Sequence, residues 1–166
     1  KTSEASTTVS MTDNRIVGAT FAPLIHSIST MVSPNGTGEV SGAGNYQFGD
    51  NLTLTATATS AGYSFLSWSG DLNSSVNPLA IQVDANLSLT ANFRLDAYSL
   101  ELISGAGGTV SGEGNFSHGT QANISATPLI GYSFSGWNGD GVADPNAAST
   151  SVEMTQSRTI TAVSYT

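Results

Sequence analysis

The ten residues Gly-Tyr-Ser-Phe-Leu-Ser-Trp-Ser-Gly-Asp at positions 62–71 return as Gly-Tyr-Ser-Phe-Ser-Gly-Trp-Asn-Gly-Asp at positions 131–140, 69 residues further along the chain. A second match precedes each of them. Residues 40–46, Val-Ser-Gly-Ala-Gly-Asn-Tyr, return after 70 residues as residues 110–116, Val-Ser-Gly-Glu-Gly-Asn-Phe. Two motifs repeated in the same order at this spacing are typical of tandem modules. The 166-residue chain therefore carries one module twice.

A third match extends the pattern to the start of the sequence. Residues 9–19 resemble residues 152–162 and also echo residues 83–93, and both of these segments lie late in a module. We therefore interpret the sequence as a piece of a longer array with the following division: residues 1–23 as the tail of a preceding repeat, residues 24–96 as one module and residues 97–166 as the next.

The connections between these segments are short. Asp96-Ala97 joins the two modules and is too short for a flexible linker, while Ala22-Pro23 ties the tail closely to the first module. The apolar side chains of the tail need burial, so we expect it to dock on residues 24–96 or to exchange with a second copy. An alternative phase, in which the folding unit begins with the tail and ends near Pro78, stays open.

Within each module apolar and polar residues alternate, which is the pattern of half-buried strands rather than helices. Leu52, Leu54 and Ala56 alternate with threonines, and Ala122 and Ile124 repeat the pattern in the second module. Glycine-rich stretches separate these segments and supply the turns. The sequence predicts an all-β chain of two tandem small β modules with the same topology.

Composition excludes several classes of partner. Four Lys and Arg against twelve Asp and Glu give a formal net charge of −8, so no basic patch can neutralise nucleic-acid phosphates. No apolar run reaches the length of a membrane span. The sequence contains no Cys, so disulfides, thiolate metal sites and thiol nucleophiles are excluded.

The combined pattern resembles the divergent internalin B-type repeat, also called the bacterial repeat domain. The resemblance rests on the Val-Ser-Gly-x-Gly-Asn-Tyr/Phe motif, the Gly-Tyr-x-Phe-x-x-Trp-x-Gly-Asp block and the closing Ala-Asn-Phe at 91–93. It implies a compact β-rich module, β-grasp-like, strung in tandem on secreted or surface proteins of bacteria. It implies no catalytic residues.

The repeated aromatic residues are predicted structural anchors of the core: Tyr63, Phe65, Trp68, Tyr132, Phe134 and Trp137. Tyr63 and Phe65 share a strand face, but Trp68 lies three residues further on and returns to that face only if a β-bulge intervenes. The competing interpretation is that each Trp ring stacks on a sugar.

Asn138, Asp140 and Asp144 form an oxygen-rich segment and are the candidate calcium ligands. Their spacing is incomplete for a calcium loop, because Val142 occupies a ligand position and no Glu follows closely. The competing interpretation is a turn in which Asp140 accepts backbone N–H bonds. Calcium is the one cofactor considered; none other is expected.

Nothing in the sequence assembles a catalytic site, since acids lie singly and His26 and His118 occupy non-equivalent positions. We expect no enzyme but a non-catalytic tandem-repeat segment of a large secreted or surface bacterial protein, acting as spacer, stalk or adhesive region outside the cell. Its expected partners are neighbouring repeats and, further, a polysaccharide or a host or cell-surface protein. The alternative is a carbohydrate- or protein-binding accessory module of a secreted enzyme or adhesin.

Overall fold

The computed structural model describes residues 8–165, and this part of the chain contains strands but no helix. The first module comprises seven strands: β1 (Ile25–Ser33), β2 (Gly38–Ser41), β3 (Gly44–Gln47), β4 (Asn51–Ala58), β5 (Tyr63–Gly70), β6 (Leu79–Gln82) and β7 (Leu87–Leu95). The second comprises seven more: β8 (Ala97–Ser104), β9 (Gly108–Ser111), β10 (Gly114–Ser117), β11 (Thr120–Pro128), β12 (Ser133–Asn138), β13 (Ser149–Met154) and β14 (Arg158–Tyr165).

Each module consists of two sheets with the same strand order. The four-stranded sheet has the order β3-β1-β7-β5 in the first module and β10-β8-β14-β12 in the second. The three-stranded sheet has the order β2-β4-β6 and, correspondingly, β9-β11-β13. The central pair of each four-stranded sheet is parallel, and all other pairs are antiparallel. The prediction of an all-β chain with two tandem modules is confirmed, while the β-grasp comparison stays a prediction.

The core of each module lies between its two sheets. Leu52, Leu54 and Ala56 of β4 are buried against Trp68 and Leu89 of the four-stranded sheet. The second module has an equivalent cluster, with Ile124 facing Trp137 and Ile160. Alternation explains this arrangement, because successive side chains of a strand point to opposite faces and only one face of each sheet is covered.

The chain crosses from one sheet to the other at glycines. β2 belongs to the small sheet and β3 to the large one, and Gly42 between them has a φ of 97°. A Cβ at this position would overlap the Thr53 carbonyl oxygen, so the crossing requires glycine. Gly112 makes the same crossing in the second module with a φ of 111°.

The described part of the tail, residues 8–23, contains no strand. Its apolar side chains are exposed, including Val9, Met11, Val17 and Phe21. The docking half of the expectation is therefore wrong for the described tail residues, while exchange with a second copy stays a prediction. The physical reason is that β6 and β7 already fill the core positions that these side chains would occupy. Residues 1–7 lie outside the described residues.

Candidate functional site

A β-bulge positions the tryptophan of each module. In β5, Phe65 pairs with Phe93 of β7 and Ser67 pairs with Asn92, so Leu66 is an extra residue in the ladder. The bulge reverses the alternation and turns Trp68 inward, as the spacing required. β12 has the same irregularity between Phe134 and Gly136.

Both indole rings lie in the core and are fixed by hydrogen bonds. Trp68 is 1% exposed, and its Nε1 donates to the Val76 carbonyl oxygen at 3.1 Å. Trp137 is 6% exposed, and its Nε1 donates to the Ala147 carbonyl oxygen at 3.0 Å. Neither ring presents a face on which a sugar could stack.

The other repeated aromatic residues lie at differing depth. Phe65 packs on Trp68 with ring centroids 5.5 Å apart, and Phe134 packs on Trp137 at the same distance. Tyr63 is half-buried against the first core. Tyr132 is 36% exposed and covers Gly107 with its ring. The two tyrosines therefore differ in burial, although they occupy the same position in the repeat.

The oxygen-rich segment of the second module begins at Asn138, the last residue of β12, and continues into the connection to β13. Asn138 and Asp140 are exposed. The Asp144 carboxylate accepts a hydrogen bond from the Asn146 backbone N–H at 2.9 Å, which makes it a turn-forming side chain. The structure assigns this turn role to Asp144, whereas the sequence suggested Asp140. Calcium binding here stays a prediction.

Residues 8–165 bring no three His, Cys, Asp or Glu side chains together in a way that could hold a metal ion. An open groove on the β9–β11–β13 sheet is lined mainly by hydroxyl and amide side chains, among them Ser111, Asn123 and Thr150. None of its lining residues is a carboxylate or a histidine, so the groove offers no acid or base for catalysis. In the same described range, no helix has the length and apolar character needed to cross a membrane.

The junction between the modules is held by hydrogen bonds that involve Asp96. Asp96 is the single residue between β7 and β8. Its backbone N–H donates to the Gly62 carbonyl oxygen at 2.7 Å, and its carboxylate accepts from the Ser64 hydroxyl at 2.6 Å. Its own carbonyl oxygen accepts from the His118 backbone N–H at 2.9 Å. Asp96 therefore binds both modules at once.

The His118 side chain completes this junction. Its ring lies directly over Gly62, so a Cβ at position 62 would overlap the imidazole. Tyr98 also packs on the ring, edge to face, with centroids 6.0 Å apart. The sequence identified Asp96-Ala97 as the junction but gave no role to Gly62 or His118. The repeated glycine was the available signal, since Gly62 opens the Gly-Tyr-Ser-Phe motif.

A two-sheet module present twice, with a bonded junction and no catalytic group in its groove, defines a tandem-repeat protein of the all-β class. A family model, the divergent InlB B-repeat domain, matches residues 28–97 and again residues 98–163, and the chain belongs to this family. The resemblance found from the sequence is thus confirmed, with two copies. Repeats of this family are generally non-catalytic and typical of bacterial surface proteins. A search of curated proteins and a search of solved structures each found no match.

Proposed function

We propose that this chain is a non-catalytic, load-bearing spacer in a secreted or surface-attached bacterial protein. One observation carries the proposal: the first and last strands of each module are parallel neighbours. β1 pairs with β7 from Ile28 opposite Leu87 to Ser33 opposite Asn92. β8 pairs with β14 from Arg158 opposite Leu100 to Ala162 opposite Ser104.

This arrangement decides how a module responds to tension. A pull on the array acts at the start of β1 and at the end of β7, which lie at opposite ends of one parallel pair. The force runs along the strands, so the evenly spaced hydrogen bonds of the ladder are loaded together. Bonds loaded together must break together, whereas bonds at one end of a hairpin open one at a time.

The junction passes the same tension to the next module. β7 continues into β8 through Asp96 alone, and Asp96 is bonded to Gly62, Ser64 and His118. A single bonded residue leaves little freedom for bending between the modules. Such an array keeps its length under load, which is the property a stalk needs to project another domain. We expect this role to need neighbouring repeats as partners and no cofactor.

Single-molecule force spectroscopy tests the proposal, and the absence of Cys makes attachment points easy to define. One variant carries Ala97→Cys and Tyr165→Cys, so the handles pull β8 and β14 in shear. The matched variant carries Ile103→Cys and Tyr165→Cys, so the handles pull on the same end of the pair. Each of the three positions is exposed.

We expect the shear variant to unfold at a force several-fold higher than the matched variant, with release of roughly 230–250 Å of extended chain. Equal forces in the two geometries would contradict the load-bearing role. A glycan array and a pull-down with the intact chain test the alternative. Saturable binding of a polysaccharide or a cell-surface protein, combined with equal forces, would favour the accessory binding module.

A further inference from the structure

The junction consists of two complementary halves. One half, which we name the inner plug, is formed by Asp96 between the two modules and by Tyr98 and His118 of the second module. The other half, the socket, is formed by Gly62 and Ser64 of the first module. The backbone bond from His118 N–H to the Asp96 carbonyl oxygen shapes the inner plug, and the missing side chain of Gly62 opens the socket.

The first module carries a second plug, the outer plug, formed by Leu24, His26 and Phe48, and none of residues 8–165 forms a socket against it. Leu24 precedes β1 as Asp96 precedes β8, and Phe48 follows β3 as His118 follows β10. The Phe48 backbone N–H donates to the Leu24 carbonyl oxygen at 2.9 Å, the distance found in the inner plug. His26 and Phe48 pack with tilted rings whose centroids lie 6.2 Å apart, where Tyr98 and His118 pack edge to face at 6.0 Å.

The two plugs differ in exposure and in chemistry. Phe48 and Leu24 are each 62% exposed, whereas His118 and Asp96 are half-buried against the first module. The outer plug is also the more apolar of the two. The free energy falls when a partner removes exposed apolar side chains on a preformed surface from water.

The tail supplies the identity of that partner. Val9, Met11, Val17, Ala19 and Phe21 lie 72 residues before Ile81, Val83, Leu89, Ala91 and Phe93, which shifts the echo first seen at residues 83–93 by two positions. Each of the five later residues is buried in the core of the first module, on β6, on β7 or on the turn between them. The five tail residues are all exposed. Residues 9–21 thus carry the pattern of the last two strands of a module without the rest of its core.

The connection between the tail and the first module also matches the connection between the two modules. Phe21 is followed by two residues and then Leu24, as Phe93 is followed by two residues and then Asp96. We propose that the outer plug, formed by Leu24, His26 and Phe48, is the seat of a further repeat of the same fold whose last two strands are residues 9–21. This proposal rests on the proposed function, since a spacer is built from such repeats, and it adds the contact that joins them.

The opposite end of the chain carries the matching socket. Gly131 and Ser133 of the second module occupy the positions of Gly62 and Ser64, and both are exposed where the earlier pair is half-buried. Among the described residues, no atom would lie within 4 Å of a Cβ at Gly131. The same contact can therefore continue in both directions.

The test inserts a second copy of residues 25–80 between Thr8 and Val9 of the full chain, which supplies the strands that residues 9–21 lack. Amide hydrogen exchange of residues 16–21 is measured in the original and in the extended chain. We expect fast exchange in the original chain and protection equal to that of β7 in the extended one. Phe48→Gln, made in the original first module and not in the inserted copy, should leave the melting temperature of the original chain unchanged and lower that of the extended chain.

Fast exchange of residues 16–21 in a folded extended chain would overturn the proposal. Protection of these residues with no effect of Phe48→Gln would also overturn it, because the outer plug would then not be the seat. The mass of the original chain could instead rise with concentration, and Phe48→Gln could abolish that rise. This result would overturn the proposal, because a second copy of the chain would then occupy the outer plug.

A second variant keeps the proposal testable if the inserted segment does not fold. It appends a copy of residues 96–166 after Thr166. Gly131→Ala is made in the original second module, and its effect is compared between the original chain and the longer chain. We expect a larger loss of melting temperature in the longer chain, and an equal loss would overturn the proposal. The force measurement on Ala97 and Tyr165 needs no added repeat, so the proposed function can fail or succeed separately.

Discussion

Replacing Trp68 by alanine removes the largest fully buried side chain of the first module. The ring is 1% exposed, packs against Phe65 and holds the connection after β5 through its bond to the Val76 carbonyl oxygen. The alanine variant loses the buried ring surface and leaves a cavity between the two sheets. It also leaves that carbonyl oxygen without its donor.

The loss can be compared with the stability of the whole module. Truncation of a buried Trp or Phe to alanine costs about 3–5 kcal/mol. A module of about 70 residues is expected to hold roughly 4–10 kcal/mol in total. Trp68→Ala should therefore remove between a third and all of the free energy of unfolding of the first module. Trp68→Phe keeps an aromatic ring but not the hydrogen bond, and should cost about 1–3 kcal/mol.

The chain provides its own reporter, because it has two Trp and one lies in each module. In Trp68→Ala, urea unfolding followed by circular dichroism reports both modules, while Trp137 fluorescence reports the second alone. We expect an early circular dichroism transition from the first module and a Trp137 midpoint that moves only slightly. Trp137→Ala is the reciprocal control, with the modules exchanged.

A loss below about 1 kcal/mol for Trp68→Ala would refute the reasoning, because it is far under the cost of removing a buried large aromatic side chain. It would mean that the ring is exposed in solution, and the sugar-stacking interpretation would return. A Trp137 midpoint that falls as far as the first transition would show instead that the modules unfold as one unit.

Three further predictions concern the loops and crossings. Asn77→Ala should cost about 1–3 kcal/mol in urea unfolding, because the amide donates to the Ala56 carbonyl oxygen at 2.7 Å and accepts from its N–H at 2.9 Å; a neutral result would contradict this pairing. Gly42→Ala should lower the free energy of unfolding by more than Gly49→Ala does. Gly49 shares a positive φ, but a Cβ there meets no described atom within 4 Å, so its replacement should cost about 1–2 kcal/mol. Equal losses would refute the overlap at Gly42. A rise in melting temperature with calcium that Asp144→Asn abolishes would establish the predicted calcium site, whereas an unchanged melting temperature would leave Asp144 with its turn role alone.

Local pattern predicted the strands well and their pairing not at all. The alternation of Leu52, Leu54 and Ala56 with threonines predicts one buried face, and these residues are buried. Nothing in that alternation says that β1 lies parallel to β7, because the pairing joins residues about 60 positions apart. Strand direction depends on how the chain crosses between sheets, and a single sequence does not encode that crossing locally.

The junction was only partly predictable for a similar reason. A glycine that opens a repeated motif is interpreted as a turn residue, and Gly62 does have a φ of 72°. Its second role, making room for the His118 ring, depends on a residue 56 positions later in the chain. Aligning the two modules places His118 opposite Phe48, but their residue types differ, so the alignment does not indicate that both positions lie at a junction.

The two modules also show which parts of the fold are constrained. The connections after the bulged strands differ in sequence and length, residues 71–78 and residues 139–148. Each nevertheless places one carbonyl oxygen against the indole N–H, from Val76 at 3.1 Å and from Ala147 at 3.0 Å. Each connection also places a carbonyl oxygen against the backbone N–H of the same tryptophan, from Ser74 and from Pro145, at 2.7 Å in both modules. The fold therefore requires these two shared contacts from the connection. A polysaccharide or protein ligand, should one repeat acquire it, would be recognised by exposed residues of the connection such as Leu72 and Asn73, because their side chains lie outside the core.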